Sequence, residues 1–331
     1  MLNSFKPGQR WLDTDGNPIQ AHGGSILFRD STFYWYGENK EKTSGETKLW
    51  HYGVRCYSSK DLYNWKSEGI ILNAVENDPL SPLHPNRIMD RPHILYHKSD
   101  GRFVMWMKFA GSDARPHDWN IQYMGIAVSD KITGPFRLVN TTNPLGMNSG
   151  DFDLYTNPSD GKGHIIFGRV HTEVVIADLT EDYLNVNGFY SSHFPRSGPP
   201  SAREAPALFK RNHRFYLLTS GTTGYQSNPS EVATAQLIHG PWTELGDPCR
   251  QDTQRNSFDS QFSSVFQHPL KDDLYIALGD RWMDGSTPNQ EGASQKWNTA
   301  LATYTWLPIR FIEGQPVIEW RDEWSLDEFE N

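Results

Sequence analysis

Four polar side chains stand where apolar strand patterns begin. They are Asp90 in Asp90-Arg91-Pro92-His93, Asp151 in Gly150-Asp151-Phe152-Asp153, Glu204 in Arg203-Glu204-Ala205-Pro206 and Gln261 in Asp259-Ser260-Gln261-Phe262. A single acid in such a place is an ordinary turn cap or an arginine partner. Four equivalent places, all polar where an apolar residue is due, point instead to a shared site. Two facing groups of this kind suit glycoside hydrolysis: one protonates the leaving oxygen, and the other activates water or attacks carbon.

Other chemistries lack their residues. The twelve histidines show no H-x-H pair and no H-E-x-x-H, which argues against a catalytic zinc site. Gly221-Thr222-Thr223-Gly224 and His22-Gly23-Gly24-Ser25 are glycine-rich, yet neither carries a P-loop lysine or a dinucleotide fingerprint, and no G-x-S-x-G elbow occurs. Cys56 and Cys249 are the only cysteines, too few for a disulfide scaffold and outside any C-x-x-C; nothing supports a bridge between them.

The elements that must position these residues repeat along the chain. Ser25–Phe28 and Phe33–Tyr36 flank a polar turn at Arg29-Asp30-Ser31. The same apolar–turn–apolar pattern recurs around Ser99-Asp100-Gly101, Ser159-Asp160-Gly161, Arg211-Asn212-His213 and Lys271-Asp272-Asp273. Each is a hairpin signature. Hairpin starts fall about 50–70 residues apart, the length of one propeller blade. Later strands also match, as in Val54–Trp65, Gly125–Phe136 and Val232–Trp242.

The fold class expected is all-β: a five-bladed β-propeller, occupying residues 1–331 as a single domain and closed by pairing of the chain ends. Its inner strands should begin near Ile26, Ile94, Leu154, Ala207 and Ser264. A two-sheet sandwich is the alternative, and it leaves the repeats unexplained. In a propeller the first strand of every blade lines the axis, so Asp90, Asp151, Glu204 and Gln261 would converge there.

Composition agrees. The 331 residues include 12 Trp, 14 Tyr, 17 Phe, 27 Gly and 21 Pro, a profile of aromatic strands and tight turns. Most tryptophans are expected in the core, with a few lining a sugar-binding cleft. A net charge of −9 argues against nucleic acid or an anionic membrane as partner. No apolar run approaches the length of a membrane span. The start, Met1-Leu2-Asn3-Ser4-Phe5-Lys6-Pro7, has no export-signal core, so a cytoplasmic location is expected.

Arg203–Asn212 and Tyr216–Gly224 together resemble glycoside hydrolase family 43, with the closest likeness to its exo-β-1,3-galactanase branch. The resemblance runs over nearly the whole chain. It takes in Trp11–Gly16, Ala21-His22-Gly23-Gly24, Tyr34-Trp35-Tyr36-Gly37-Glu38, Gly279-Asp280-Arg281-Trp282, Tyr304–Pro308 and Trp320–Trp324. It implies a five-bladed propeller, in agreement with the repeats.

The resemblance also implies roles. Glu204 matches the general acid, whose pKa must be raised. The usual base is a blade-one Asp, and here that place reads Ala21-His22-Gly23-Gly24. The galactanase branch shares this loss, with a Gln matching Gln261 standing in as base. Asp151 matches the carboxylate that tunes the acid. Asp90 stands where the branch carries Glu, and Tyr225 stands where a Trp is expected. Asp90 or Asp151 is the alternative base, which would reduce Gln261 to a hydroxyl contact. In an inverting enzyme the Glu204 carboxyl and the Gln261 amide would face each other about 6.5–9.5 Å apart.

Candidate sugar contacts are Glu38, His22, Trp119, Tyr123, Tyr225 and Asp280, the last also expected in a buried ion pair. The activity implied is exo-hydrolysis of β-1,3-galactan oligosaccharides by a monomer. The alternatives are an arabinofuranosidase or xylosidase of the same family, or a catalytically silent sugar-binding propeller. No cofactor is required, although a structural calcium or sodium ion could sit near the axis.

Overall fold

A computed structural model describes residues 1–44, 47–284 and 298–330. The described residues are almost entirely β, arranged as five sheets around one axis: a five-bladed propeller. Blade one contains β1 (His22–Arg29), β2 (Thr32–Glu38), β3 (Val54–Ser59) and β4 (Lys66–Leu72). Blade two contains β5 (Ile88–His97), β6 (Arg102–Ala110), β7 (Gln122–Ser129) and β8 (Arg137–Thr142). Blade three contains β9 (Ser149–Thr156), β10 (Gly163–Arg169), β11 (Glu173–Leu179) and β12 (Val186–His193). Blade four contains β13 (Arg203–Arg211), β14 (Arg214–Gly221), β15 (Glu231–Ala235) and β16 (Thr243–Gly246). Blade five contains β17 (Cys249–Arg250), β18 (Gln261–Gln267), β19 (Tyr275–Arg281), β20 (Thr303–Ile312) and β21 (Gln315–Glu319). Its strand order is β17-β21-β20-β19-β18, and every other blade is a four-strand meander.

The hairpins form where the turn chemistry demands them. Asp30 and Ser31 (φ 48° and 55°) join β1 to β2, and Asn212 and His213 (φ 47° and 65°) join β13 to β14. Two successive left-handed residues match the twist of the flanking strands, and polar Asn and Asp tolerate that conformation best.

Aromatic side chains fill the wedges between blades. Trp35, Trp65, Trp306 and Trp324 are buried in the cluster joining blades five and one. The Trp65 indole donates to the Leu62 carbonyl at 3.0 Å and Trp324 to that of Trp306 at 2.8 Å, so neither buries an unpaired N–H. The chain ends meet in the same wedge. Phe5 bridges Trp324 through backbone bonds of 2.8 and 3.1 Å, and their rings stack at 4.2 Å. Cys56 and Cys249 are free and buried.

The inner strands begin three to six residues earlier than their apolar patterns suggest. The physical reason is a bulge near the start of each blade's first hairpin. Register shifts lie between His22 and Ser25, Asp90 and His93, Phe167 and Arg169, Glu204 and Ala207, and Phe262 and Ser264. A bulge adds one residue, breaks the two-residue alternation and re-aims a side chain. The polar residues before each apolar run therefore belong to the strand, turned toward the axis.

Candidate active site

Blades two and four use the same local device. Asp90 is followed by Arg91 at φ 52° and Pro92, and Glu204 by Ala205 at φ 48° and Pro206. In each, a left-handed residue inside a bulge turns the preceding acid into the axial cavity. This cavity has a volume of about 720 Å³, the size range of small-ligand sites. Asp90, Asp151, Glu204, Gln261, Glu38, Trp119 and Tyr225 all line it.

Charge organises its floor. Asp151 Oδ1 lies 2.9 Å from Arg91 Nε and 2.6 Å from Lys108 Nζ, and these two cations hold its carboxyl well below the usual range. Asp90 accepts from the Trp50 indole at 2.7 Å and sits 3.1 Å from Lys108 Nζ and 3.8 Å from Lys40 Nζ; it too is held ionised despite burial. Glu38 accepts from the Arg91 backbone N–H at 2.9 Å and faces Lys40 Nζ at 2.8 Å. Burial nevertheless raises Glu38 to about 7.

Glu204 differs from the other three. Its carboxyl accepts from an amide, Gln261 Nε2, at 3.2 Å. Burial, reinforced by the negative charge of Asp151, pushes its carboxyl up to about 8. Desolvation disfavours the ionised form, and a nearby like charge disfavours it further. At neutral pH this carboxyl holds its proton, whereas Asp90 and Asp151 do not. One acid poised to donate beside others kept ionised is the division of labour that acid–base catalysis requires.

Gln261 is placed differently from the sequence-based expectation. It touches Glu204 directly instead of facing it across a water-sized gap. Its Nε2 also donates to Ser220 Oγ at 2.8 Å, and its Oε1 accepts from Arg91 Nη2 and, at 3.3 Å, from the Trp282 indole. Arg91 and Trp282 are donors only, so the amide oxygen must face them and the NH₂ must face Glu204. An imidic tautomer would put a hydroxyl proton on the oxygen that already receives two donors. This geometry suits an amide that fixes the acid, and it leaves no room for an attacking water between the two groups.

Three other expectations need correction. His22 and Asp280 do not line the cavity. His22 is fully buried, with Nδ1 3.0 Å from Asp280 Oδ1 and its ring stacked on Tyr304, and Asp280 Oδ2 accepts the Gly23 N–H at 3.0 Å. The buried partner of Asp280 is thus His22, and together they brace the blade-one bulge from behind. Tyr123 lies on β7 and packs on Phe109 at 5.5 Å. Side chains alternate along a strand, so its neighbour Gln122 reaches the cavity and Tyr123 points into the core.

Sequence reasoning also missed several cavity residues. Trp50 comes from the loop between β2 and β3 and, with Trp119 at 5.3 Å and Tyr225 at 6.0 Å, builds an aromatic wall. Trp282 extends that wall, 5.4 Å from Tyr225. Lys108 lies mid-pattern in an apolar strand, where only its type could have signalled a charged partner opposite.

A propeller whose strand starts gather one protonated carboxyl, two ionised ones and a wall of indoles defines a carbohydrate-processing site. The chain belongs to glycoside hydrolase family 43, whose model matches residues 16–308. It is similar in structure to a family-43 β-1,3-galactosidase, with 31% identity and a TM-score of 0.85 over 99% of this chain and 65% of that one. It is also similar to an exo-β-1,3-galactanase from Phanerochaete chrysosporium solved with β-1,3-galactotriose. There the identity is 27% and the TM-score 0.82, over 98% of this chain and 68% of that one. A curated relative, a xylan 1,3-beta-xylosidase from Vibrio sp, is 23% identical over 202 residues. Those residues are 58% of this chain and 36% of the relative, so the match spans about a third of that protein's length.

Proposed function

We propose that this chain is an inverting, exo-acting hydrolase that releases galactose from β-1,3-linked galactan oligosaccharides. The observation that carries the reading is Glu204, a cavity carboxyl balanced by an amide and pushed up to about 8. Its proton goes to the glycosidic oxygen as the C1–O bond breaks, and general acid catalysis of this kind contributes roughly 10²–10⁴-fold. Water attacks C1 from the opposite face and gives up a proton to an ionised carboxylate. Asp90 suits that role because Trp50 and Lys108 hold it ionised in the cavity wall. Asp151 raises the acid's pKa, and Gln261 orients it. The hydrolysis as proposed runs on protein groups alone, with Lys40, Arg91 and Lys108 supplying the positive charge.

The choice of galactose rests on the names of the similar structures. The xylan 1,3-beta-xylosidase relative favours a second reading, a terminal β-1,3-linked pentose. Aryl β-galactoside, aryl β-xyloside and β-1,3-galactobiose distinguish the two. Proton NMR should show α-galactose as the first-formed anomer. Asp90→Asn should abolish turnover while Gln261→Ala keeps a measurable rate. The reverse result would return the base role to the amide.

A further inference from the structure

Far from the axial cavity, three ligand-type side chains converge between blades three and four. His164 is the second residue of β10, four residues from the cavity-lining Gly168 and thus about 13 Å down the strand. Asp178 lies opposite it on β11, at a bulge between Ala177 and Leu179 that re-aims its side chain. His239 comes from the blade-four loop after β15. Asp178 Oδ1 lies 2.9 Å from His164 Nδ1 and 2.7 Å from His239 Nε2, and the three ligand atoms fall within 4.8 Å of one another. His164 is buried and the other two are partly exposed. The negative charge of Asp160, in the preceding turn, also acts on His164.

A second layer stands behind the first. Ser191 Oγ lies 2.8 Å from His239 Nδ1 and 2.8 Å from His193 Nε2. Metal-binding histidines are commonly held this way through their distal nitrogen. The chain can run in either direction. Without a metal, both rings donate to Asp178, Ser191 donates to His239 Nδ1, and His193 donates to Ser191. With a metal, His164 Nδ1 and His239 Nε2 turn lone pairs toward it, His239 Nδ1–H donates to Ser191, and Ser191 donates to His193. His239 and Ser191 keep a partner in both states, and neutral rings only move a proton from one nitrogen to the other.

We infer that His164, Asp178 and His239 form a binding site for a divalent ion of the zinc class that fastens blade three to blade four. Two imidazoles and one carboxylate form a borderline donor set suited to Zn²⁺ and its first-row neighbours, and they exclude the all-oxygen preference of Ca²⁺ and Mg²⁺. Metal–ligand distances near 2.0–2.2 Å place tetrahedral donors about 3.4 Å apart. Asp178 therefore retreats by about half an ångström as the rings close in, a side-chain adjustment. Water completes the fourth position on the exposed side. The site shares no residue with the cavity, so its occupancy is independent of the proposed hydrolysis.

The experiment is calorimetric titration of the tag-free, chelator-dialysed chain with Zn²⁺, Ca²⁺ and Mg²⁺, paired with melting curves. One Zn²⁺ should bind at micromolar concentration or tighter and raise the melting temperature, with no response to Ca²⁺ or Mg²⁺. Asp178→Asn and His239→Gln should each weaken Zn²⁺ at least tenfold, while His97→Gln, at a separate His–Asp pair, should not. Anomalous diffraction at the zinc edge locates the ion in the unaltered chain, without relying on any variant's folding. Absence of binding at 100 µM Zn²⁺, equal affinity in all variants, or an anomalous peak elsewhere would overturn the assignment.

Discussion

Asp151→Asn isolates the electrostatic device that keeps Glu204 protonated. The substitution preserves shape and removes one negative charge. The charge of Asp151 acts on Glu204 and raises its pKa; at an effective dielectric constant near 20, like charges on the order of 7 Å apart repel by about 2 kcal/mol, or one to two pH units. Arg91 and Lys108, relieved of Asp151, then act on Glu204 in the same direction. The acid must be protonated to work, so activity falls as pH rises through its pKa, about 8 in the native chain. Lowering that pKa brings the fall to lower pH. At pH 7 the protonated fraction drops from about nine-tenths to about a quarter, a loss of about fourfold, whereas at pH 5.5 almost nothing changes. The assay is kcat/KM against pH on β-1,3-galactobiose, because this ratio reports the free enzyme. A folded variant whose alkaline limb stays in place, or whose rate falls equally at all pH values, would refute the account.

Glu204→Gln should stabilise the fold while removing activity. The folded pKa of Glu204 lies above its unfolded value, so the native state carries no penalty below about 4.5 and an increasing one up to about 8. Melting temperatures of the variant and native chains should therefore coincide near pH 4 and separate in the variant's favour by pH 8. Trp50→Phe removes the indole donor at 2.7 Å from Asp90, raising that carboxyl's pKa and moving the acid limb of the kcat/KM–pH profile to higher pH. Gly24→Ala would put a Cβ 1.7 Å from the Tyr36 carbonyl and 2.7 Å from Gly37 Cα, both backbone atoms; urea unfolding should show a loss of about 3 kcal/mol or more.

The architecture was legible because each hairpin carries its own turn chemistry, and five of them fit the chain. Glu204 and Asp151 were legible as polar interruptions of apolar starts. The cations that act on them were not, because Lys108 sits mid-strand and Arg91 inside a bulge, where spacing marks no partner on another blade. His22 and Asp280 lie in segments that carry the family resemblance, yet in the fold they pair with each other behind the cavity wall. Tyr123 failed for a simpler reason: the apolar repeat reads from Gly125 and leaves Tyr123 in the preceding loop, whereas β7 already begins at Gln122 and turns the Tyr123 ring onto the core. The contact between Gln261 and Glu204 depends on how two blades pack, which no local pattern records.

Arg91 leaves blade two, reaches Asp151 of blade three and Gln261 of blade five, and gives its backbone N–H to Glu38 of blade one. Gln261 in turn binds Ser220 and Glu204 of blade four. One arginine, through its guanidinium and its backbone N–H, and one amide thus knot all five blades at the hub, and the knot holds the very groups that surround the acid. Turnover then serves as a gauge of ring integrity: a blade that loosens scatters the reacting groups before the outer strands melt. A sugar mimic lodged in the cavity would act in the opposite sense, as a plug that braces the whole wheel against heat and protease.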